Sequence, residues 1–293
     1  MAVAAFAATG CSSPAPTDAG IGGQGWTVAA AFYPLQYVAE AVGGDLVTVT
    51  NLTKPGAEPH DLELAPQDLT QLTDADLAVY LGGFQPAVDD AVAQKADGGV
   101  LDVSQTANLS LTTVDDGGEA ATDPHFWLDP TRLADVGDAV ADSLSQLDPP
   151  AQATFDANAA ALRATLERLD SSYRKGLSDC ERRQLVTSHT AFGYLADAYQ
   201  LEQVGLTGLT PETEPNPQEL ADVTQFVRDN DVQTIFYETL VSPDVAETVA
   251  QATGASTSVL DPLEGLSDES EGDDYLQVMQ SNLTNLQEGL SCR

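Results

Sequence analysis

The chain has 293 residues, room for two domains at roughly 100–200 residues each. Eleven Lys and Arg stand against 46 Asp and Glu, a formal net charge of −35, which excludes binding to a nucleic-acid backbone by charge. Hydrophobic residues make up 42% of the chain and recur in helix- and strand-sized pieces, so a disordered chain is excluded as well. Trp26 to Phe32 reads as a buried strand, Pro34 to Val42 as a short amphipathic helix stopped by Gly43 and Gly44, and Leu46 to Thr50 as an alternating, β-branched strand. Pro66 opens a helix that runs to about Thr73. Leu77 to Leu81 is a strand, Pro86 to about Lys95 a helix, and Val100 to Val103 a fourth strand. This alternation marks a parallel sheet covered by helices.

Gly117 to Asp123 reads as a polar loop, and a helix follows from about Thr131 to Leu147, ended by Asp148, Pro149 and Pro150. From Ala151 to about Leu177, Phe155, Leu162, Leu166, Leu169 and Tyr173 recur at helical spacing. A helix of that length spans roughly 40 Å and reads as a spacer between two compact patterns. The second half repeats the logic of the first. Strands are expected at Gln184–Ser188, Leu201–Leu206, Thr234–Tyr237 and Ser256–Leu260, with helices to Tyr199, from Pro217 to Asp229, from Pro243 to Thr253, and from Tyr275 to Leu290. The expected fold is α/β: two parallel-sheet lobes joined by one long backbone helix. The boundaries are a tether over 1–25, an N-terminal lobe over 26–150, the linking helix over 151–178 and a C-terminal lobe over 179–293. No apolar run beyond the N-terminus approaches 18 residues, so no transmembrane helix is expected.

The first residues form an apolar segment leading to Cys11, followed by a Gly/Ser/Pro/Ala stretch without periodicity. This resembles a bacterial lipoprotein signal, which implies cleavage before Cys11 and lipidation of its thiol. The segment is short, lacks a basic region and carries Ala8 where Leu is usual, so further residues are expected upstream. With Cys11 so used, Cys180 and Cys292 are an even pair in an exported chain and are expected to form a disulfide. The Asn-x-Ser/Thr triplets at Asn51, Asn108 and Asn282 occur at a chance frequency and carry no weight. Asp outnumbers Glu and Lys is scarce, a composition suited to a salt-tolerant source.

The chain has only three histidines, and each falls in a turn suited to projecting a side chain. His60 follows the second strand, His125 sits in Asp123-Pro-His-Phe-Trp-Leu-Asp-Pro130, and His189 comes directly after the first strand of the second lobe. Two carboxylates end strands of that lobe, Glu238 and Asp261. Ligands of open parallel sheets bind at the carboxyl ends of strands, so these groups converge on one cleft if the lobes face each other. A lone histidine is most often structural; three so placed argue for a metal. Three imidazoles with one carboxylate make a closed tetrahedral shell that suits Zn²⁺. The acidic run Ser267 to Asp274 offers only oxygen, lacks calcium-loop spacing, and reads as a solvated loop.

Pro-Gly-Ala-Glu-Pro-His60, Asp-Pro-His125-Phe-Trp-Leu-Asp-Pro, Ser-His189-Thr-Ala-Phe-Gly-Tyr, Phe-Tyr-Glu238 and Leu-Asp261-Pro-Leu resemble, in order and spacing, the metal-binding proteins that serve zinc and manganese ABC importers. The resemblance covers about residues 26–293. It implies metal held between the lobes by His60, His125, His189 and Asp261, with Glu238 orienting an imidazole N–H. His189 stands where manganese members commonly carry Glu, which favours zinc; manganese is the alternative. The His-rich loop of many zinc members has no counterpart in Asp115 to Asp123, so no scavenging role is expected of that stretch. The implied protein is a monomeric, lipid-anchored receptor outside the cytoplasmic membrane that delivers Zn²⁺ to a permease, with affinity falling below about pH 6. The rival class is a zinc hydrolase, against which stand the absence of His-Glu-x-x-His and of Gly-x-Ser-x-Gly. A third class, a surface adhesin, is a role described for some relatives that the sequence does not test.

Overall fold

The computed structural model describes residues 25–95, 99–114, 120–211 and 213–293. Cys11 and residues 115–119 lie outside them. In the first half, β1 (Trp26–Ala30), β2 (Val47–Asn51), β3 (Leu77–Tyr80) and β4 (Gly99–Asp102) form one parallel sheet in the order β2-β1-β3-β4. The connecting helices are α1 (Tyr33–Gly43), α2 (Pro66–Asp74) and α3 (Pro86–Val92). Each has a proline in its first turn, where the missing N–H costs no helical hydrogen bond. The central strands carry the buried residues Val28, Ala29, Ala30, Ala78 and Val79, as a sheet covered on both faces requires.

A short antiparallel pair, β5 (Thr112–Val114) and β6 (Ala120–Thr122), stands partly where a polar loop was expected. Three-residue strands are too short to display an alternating pattern, so composition alone reads as loop. The next helix, α4 (Pro130–Leu147), is started by Asp129, whose carboxylate accepts the Thr131 N–H.

The long helix α5 (Gln152–Gly176) has 25 residues and so measures roughly 38 Å. Its stripe of Phe155, Ala159, Leu162, Leu166, Leu169 and Tyr173 is buried, mostly along α4, with contacts to α1 as well. Gly137 of α4 permits the close approach: a Cβ there would sit 3.1 Å from a methyl of Leu162. The helix is therefore a packed backbone rather than a free spacer, and one apolar core runs continuously from Val28 to Leu290.

The second half holds β7 (Gln184–Thr187), α6 (Gly193–Tyr199), β8 (Glu202–Gly205), α7 (Pro217–Asp229), β9 (Thr234–Tyr237), α8 (Asp244–Thr253), β10 (Ser256–Val259) and α9 (Tyr275–Gly289). Its parallel sheet has the order β10-β9-β7-β8, which read from the other edge matches the first sheet. In both, strand order reverses at the first strand, and the crevice outside the carboxyl ends at that point is where such sheets bind ligands. The far end of α5 packs on α9, so one helix touches both lobes. Among the described residues, no helix is long and apolar enough to cross a membrane.

Cys180 and Cys292 are joined in a disulfide across 112 residues of sequence, tying the C-terminus to the segment ahead of β7. Replacing both by Ser should lower stability by roughly 2–5 kcal/mol, since closing so long a loop restricts the unfolded chain. Urea denaturation of the two proteins, with and without reductant, tests this: reductant should move only the native midpoint. Equal midpoints without reductant would contradict it.

Candidate metal centre

The three histidines arrive on loops that follow strands, each held by local polar contacts. Past β2, the Thr53 hydroxyl donates to the Ala31 carbonyl, and the buried Gln85 amide donates to Thr53 and to the Pro59 carbonyl. The His60 N–H then donates to Glu58, two residues back. The same acid-Pro-His pattern recurs at Asp123, which accepts both the His125 N–H at 2.9 Å and its Nδ1–H at 2.8 Å. Tyr194 donates to the Asp123 carbonyl, and Gly193 leaves space in which any Cβ would collide with the Asp123 carboxylate. His189 directly follows β7, and Glu238, at the end of β9, accepts its N–H at 3.2 Å and its Nδ1–H at 2.6 Å. Asp123 and Glu238 thus act alike. Each grips one buried histidine at main chain and Nδ1, leaving Nε2 for a ligand.

All three Nε2 atoms face one oxygen. Glu264 Oε1 lies 3.4 Å from His60 Nε2, 3.0 Å from His125 Nε2 and 3.3 Å from His189 Nε2, and the His60 and His125 Nε2 atoms are 3.3 Å apart. One ligand atom from each of the four residues lies within 4.8 Å of all the others. A tetrahedral ion bound at about 2.0–2.1 Å needs ligand atoms roughly 3.3–3.4 Å apart, so the four groups already outline such a shell. His125, His189 and Glu264 are fully buried; the His60 side chain keeps 10% of its surface, so solvent reaches the centre on that side. Glu264 Oε2 is buried with no hydrogen-bond partner among the described residues, a cost that a cation would offset.

The carboxylate of this group is Glu264, not Asp261. The chain does not continue as a strand past β10. Asp261 folds back on α9, and its carboxylate accepts from the Leu263 N–H, Ser270 and Thr239. Leu263 then takes the left-handed conformation at φ 58°, which turns Glu264 into the cleft. Glu238 stands against the Nδ1 side of His189. Glu264 lies one residue beyond the Leu-Asp261-Pro-Leu motif, and Asp123 was legible only as the second acid-Pro-His triplet.

The lobes also bond to each other here. The Trp127 indole N–H donates to the Pro262 carbonyl at 2.8 Å, and Tyr275 donates to the Trp127 carbonyl at 2.7 Å. The Trp127 ring also packs edge-on to His125, with centroids 5.2 Å apart. One residue thus connects the His125 segment to the segment that carries Glu264.

The electrostatics set two imidazoles of raised pKa, His125 and His189, and one of lowered pKa, His60, against one anion. Burial raises the Glu264 carboxyl, but bonds to His125, His189 and His60 outweigh it and hold the group well below the carboxylate range. Burial lowers His189, but the charge and hydrogen bond of Glu238, with Glu264, bring it well above 6.5. Burial likewise opposes His125, and Asp123 and Glu264 reverse it to a raised value. For His60 burial wins and the value is lowered, Glu264 offsetting only part of the effect.

The family model of the zinc-uptake complex component A, periplasmic (ZnuA), matches residues 28–289. The zinc-binding lipoprotein AdcA of Streptococcus pneumoniae serotype 4 is 34% identical over 274 residues, 88% of this chain and 54% of that protein. The chain therefore spans about half the length of the streptococcal curated relatives it matches. The high-affinity zinc uptake system protein ZnuA of Bacillus subtilis is 33% identical over 280 residues, 90% of this chain and 87% of that protein. Among solved structures, the Zn(II)-bound ZnuA-like domain of Streptococcus pneumoniae AdcA superposes with a TM-score of 0.77 at 33% identity, covering 91% of this chain and 99% of that one.

Proposed function

The chain belongs to the family of the zinc-uptake complex component A, periplasmic, and from that premise we propose that it is an extracytoplasmic receptor that captures Zn²⁺ and delivers it to an ABC importer. The observation that carries the reading is the set of His60, His125, His189 and Glu264, with Glu264 Oε1 3.0–3.4 Å from all three Nε2 atoms and one ligand atom of each residue within 4.8 Å of the others. Three nitrogens and one carboxylate oxygen suit zinc. Four protein ligands close the shell and leave no position for an activated water, which separates carriage from hydrolysis. Asp123 and Glu238 fix the imidazoles so that capture costs little reorganisation. Metal enters and leaves on the His60 side, where the loop after β2 is the segment that must shift. The receptor works as a monomer, held near its permease by lipid on Cys11; the net charge of −35 would otherwise repel it from an anionic membrane.

Competition between Zn²⁺ and Mn²⁺ for the metal-free protein, followed with a chelating indicator, tests the choice of cargo. Zinc is expected to displace manganese at equal concentration; the reverse order would contradict the zinc reading. X-ray absorption of the zinc complex should show four N/O neighbours at about 2.0–2.1 Å.

A further inference from the structure

Asp261 is buried to 1% exposure beside the metal centre and yet offers it nothing. Its contacts run the other way. Both of its main-chain groups are taken by one side chain of α9: the N–H donates to Asn282 Oδ1 at 2.9 Å, and the carbonyl accepts from Asn282 Nδ2 at 2.7 Å. Asn282 is itself 1% exposed. The Asp261 carboxylate accepts from the Leu263 N–H at 2.8 Å through Oδ1, and from Ser270 at 2.8 Å and Thr239 at 3.2 Å through Oδ2. Three separate segments therefore meet on one residue: the end of β9, the loop before α9, and α9.

The residue two positions on, Leu263, is fully buried with φ 58°, a conformation that a non-glycine residue holds at a cost of about 1–3 kcal/mol. The bond from its N–H to Asp261 is the local contact that holds the turn. The turn delivers Glu264, whose Oε1 must sit within a few tenths of an ångström of the fourth tetrahedral corner. The three histidines come from other segments and do not depend on this turn.

We infer that Asp261 is the positioning residue for Glu264: by clamping the left-handed turn at Leu263 to Asn282, Ser270 and Thr239, it aims the carboxylate at the three imidazoles. The inference rests on the zinc reading of the centre. It explains why a buried aspartate, rather than an apolar residue, follows β10 three positions before Glu264. Asp261 acts only through Glu264, and that distinguishes it from a residue that merely supports the fold.

The test is a double-mutant cycle on the full chain, with zinc affinity measured by competition against a chelator of known affinity. Asp261→Ala is expected to weaken binding by about 10–100-fold, the range found for partners that orient ligands. Asp261→Asn keeps an acceptor for the Leu263 N–H and should recover most of the loss. In a Glu264→Ala background, Asp261→Ala should change affinity less than about threefold. A Ser270→Ala/Thr239→Val variant, which removes two partners and leaves the turn residues intact, should lose several-fold and serves if Asp261→Ala does not fold. Full affinity in Asp261→Ala, or in its place full affinity in Ser270→Ala/Thr239→Val, would overturn the inference, as would an Asp261→Ala loss that persists undiminished without Glu264. Absence of zinc binding by the unmodified protein would instead sink the proposed function, so the two failures are distinct.

Discussion

Replacing His189 by Ala is expected to lower zinc affinity by about 10²–10³-fold. Closed four-ligand zinc sites bind with an apparent 10–16 kcal/mol, so one ligand of four is worth roughly 2.5–4 kcal/mol at 1.4 kcal/mol per tenfold. His189 sits at the upper end of that range for a structural reason. It is fully buried, and its loss leaves Glu238, 2% exposed, without the Nδ1–H that it holds at 2.6 Å. Glu238→Gln, by comparison, keeps the ligand and disturbs only its orientation, and should cost on the order of tenfold. Asp274 provides the control. Its carboxylate accepts the Gln277 N–H at the start of α9, so Asp274→Ala should lower stability by about 0.5–2 kcal/mol with zinc affinity unchanged. Titration against a chelating competitor measures all three. An affinity for His189→Ala within threefold of the unmodified protein would remove His189 from the shell.

The histidines of the candidate centre were legible because the chain has only three, each at a strand end or beside a proline. The architecture was legible too, since strands such as Leu77–Tyr80 and Thr234–Tyr237 are short apolar runs separated by helical patterns. The carboxylate of the candidate centre, Glu264, was not. Asp261 follows β10 as a strand-end ligand would, and nothing local in Leu-Asp-Pro-Leu-Glu announces that Leu263 adopts a positive φ. Asp261, which precedes that turn, bonds to Asn282, 21 residues after it, and to Thr239 and Ser270, contacts that only the folded chain creates. Asn282 also shows how context settles a motif: the triplet that begins there is a glycosylation pattern by sequence, but its side chain is buried and bonded to Asp261. Asp123 is intermediate. Its place two residues before His125 repeats Glu58 before His60, a regularity visible in the sequence, although its grip on Nδ1 is not.

Zinc affinity should fall steeply as pH drops from 8 to 6, and the metal-free protein should become more stable over the same interval. In the metal-free state His125 and His189 have values raised above 6.5, so both carry protons at pH 6 that zinc must displace. His60, lowered below 6.5, contributes little proton release there, and Glu264, held well below its usual range, remains ionised. Two displaced protons give a limiting slope of about 10²-fold per pH unit below both values. The window therefore lies higher than the unperturbed imidazole value that set the expectation of a loss below pH 6. Stability without zinc has the opposite sign. A histidine raised in the folded state contributes stability that is full below its unfolded value near 6.5 and is lost as pH rises through the folded value. Glu264 contributes above its unfolded value near 4.5 and loses that contribution as pH falls through its lower folded value, outside this interval. His60 opposes the trend weakly, because its lowered value favours the neutral form. Calorimetric melting at pH 6, 7 and 8 should thus show the metal-free transition moving down with pH while the zinc-induced upward shift grows. Titrations in two buffers of different ionisation enthalpy should count close to two protons released per zinc at pH 6. Zinc affinity that stays flat between pH 6 and 8 would mean that the Glu238 and Asp123 carboxylates do not hold those protons on the imidazoles.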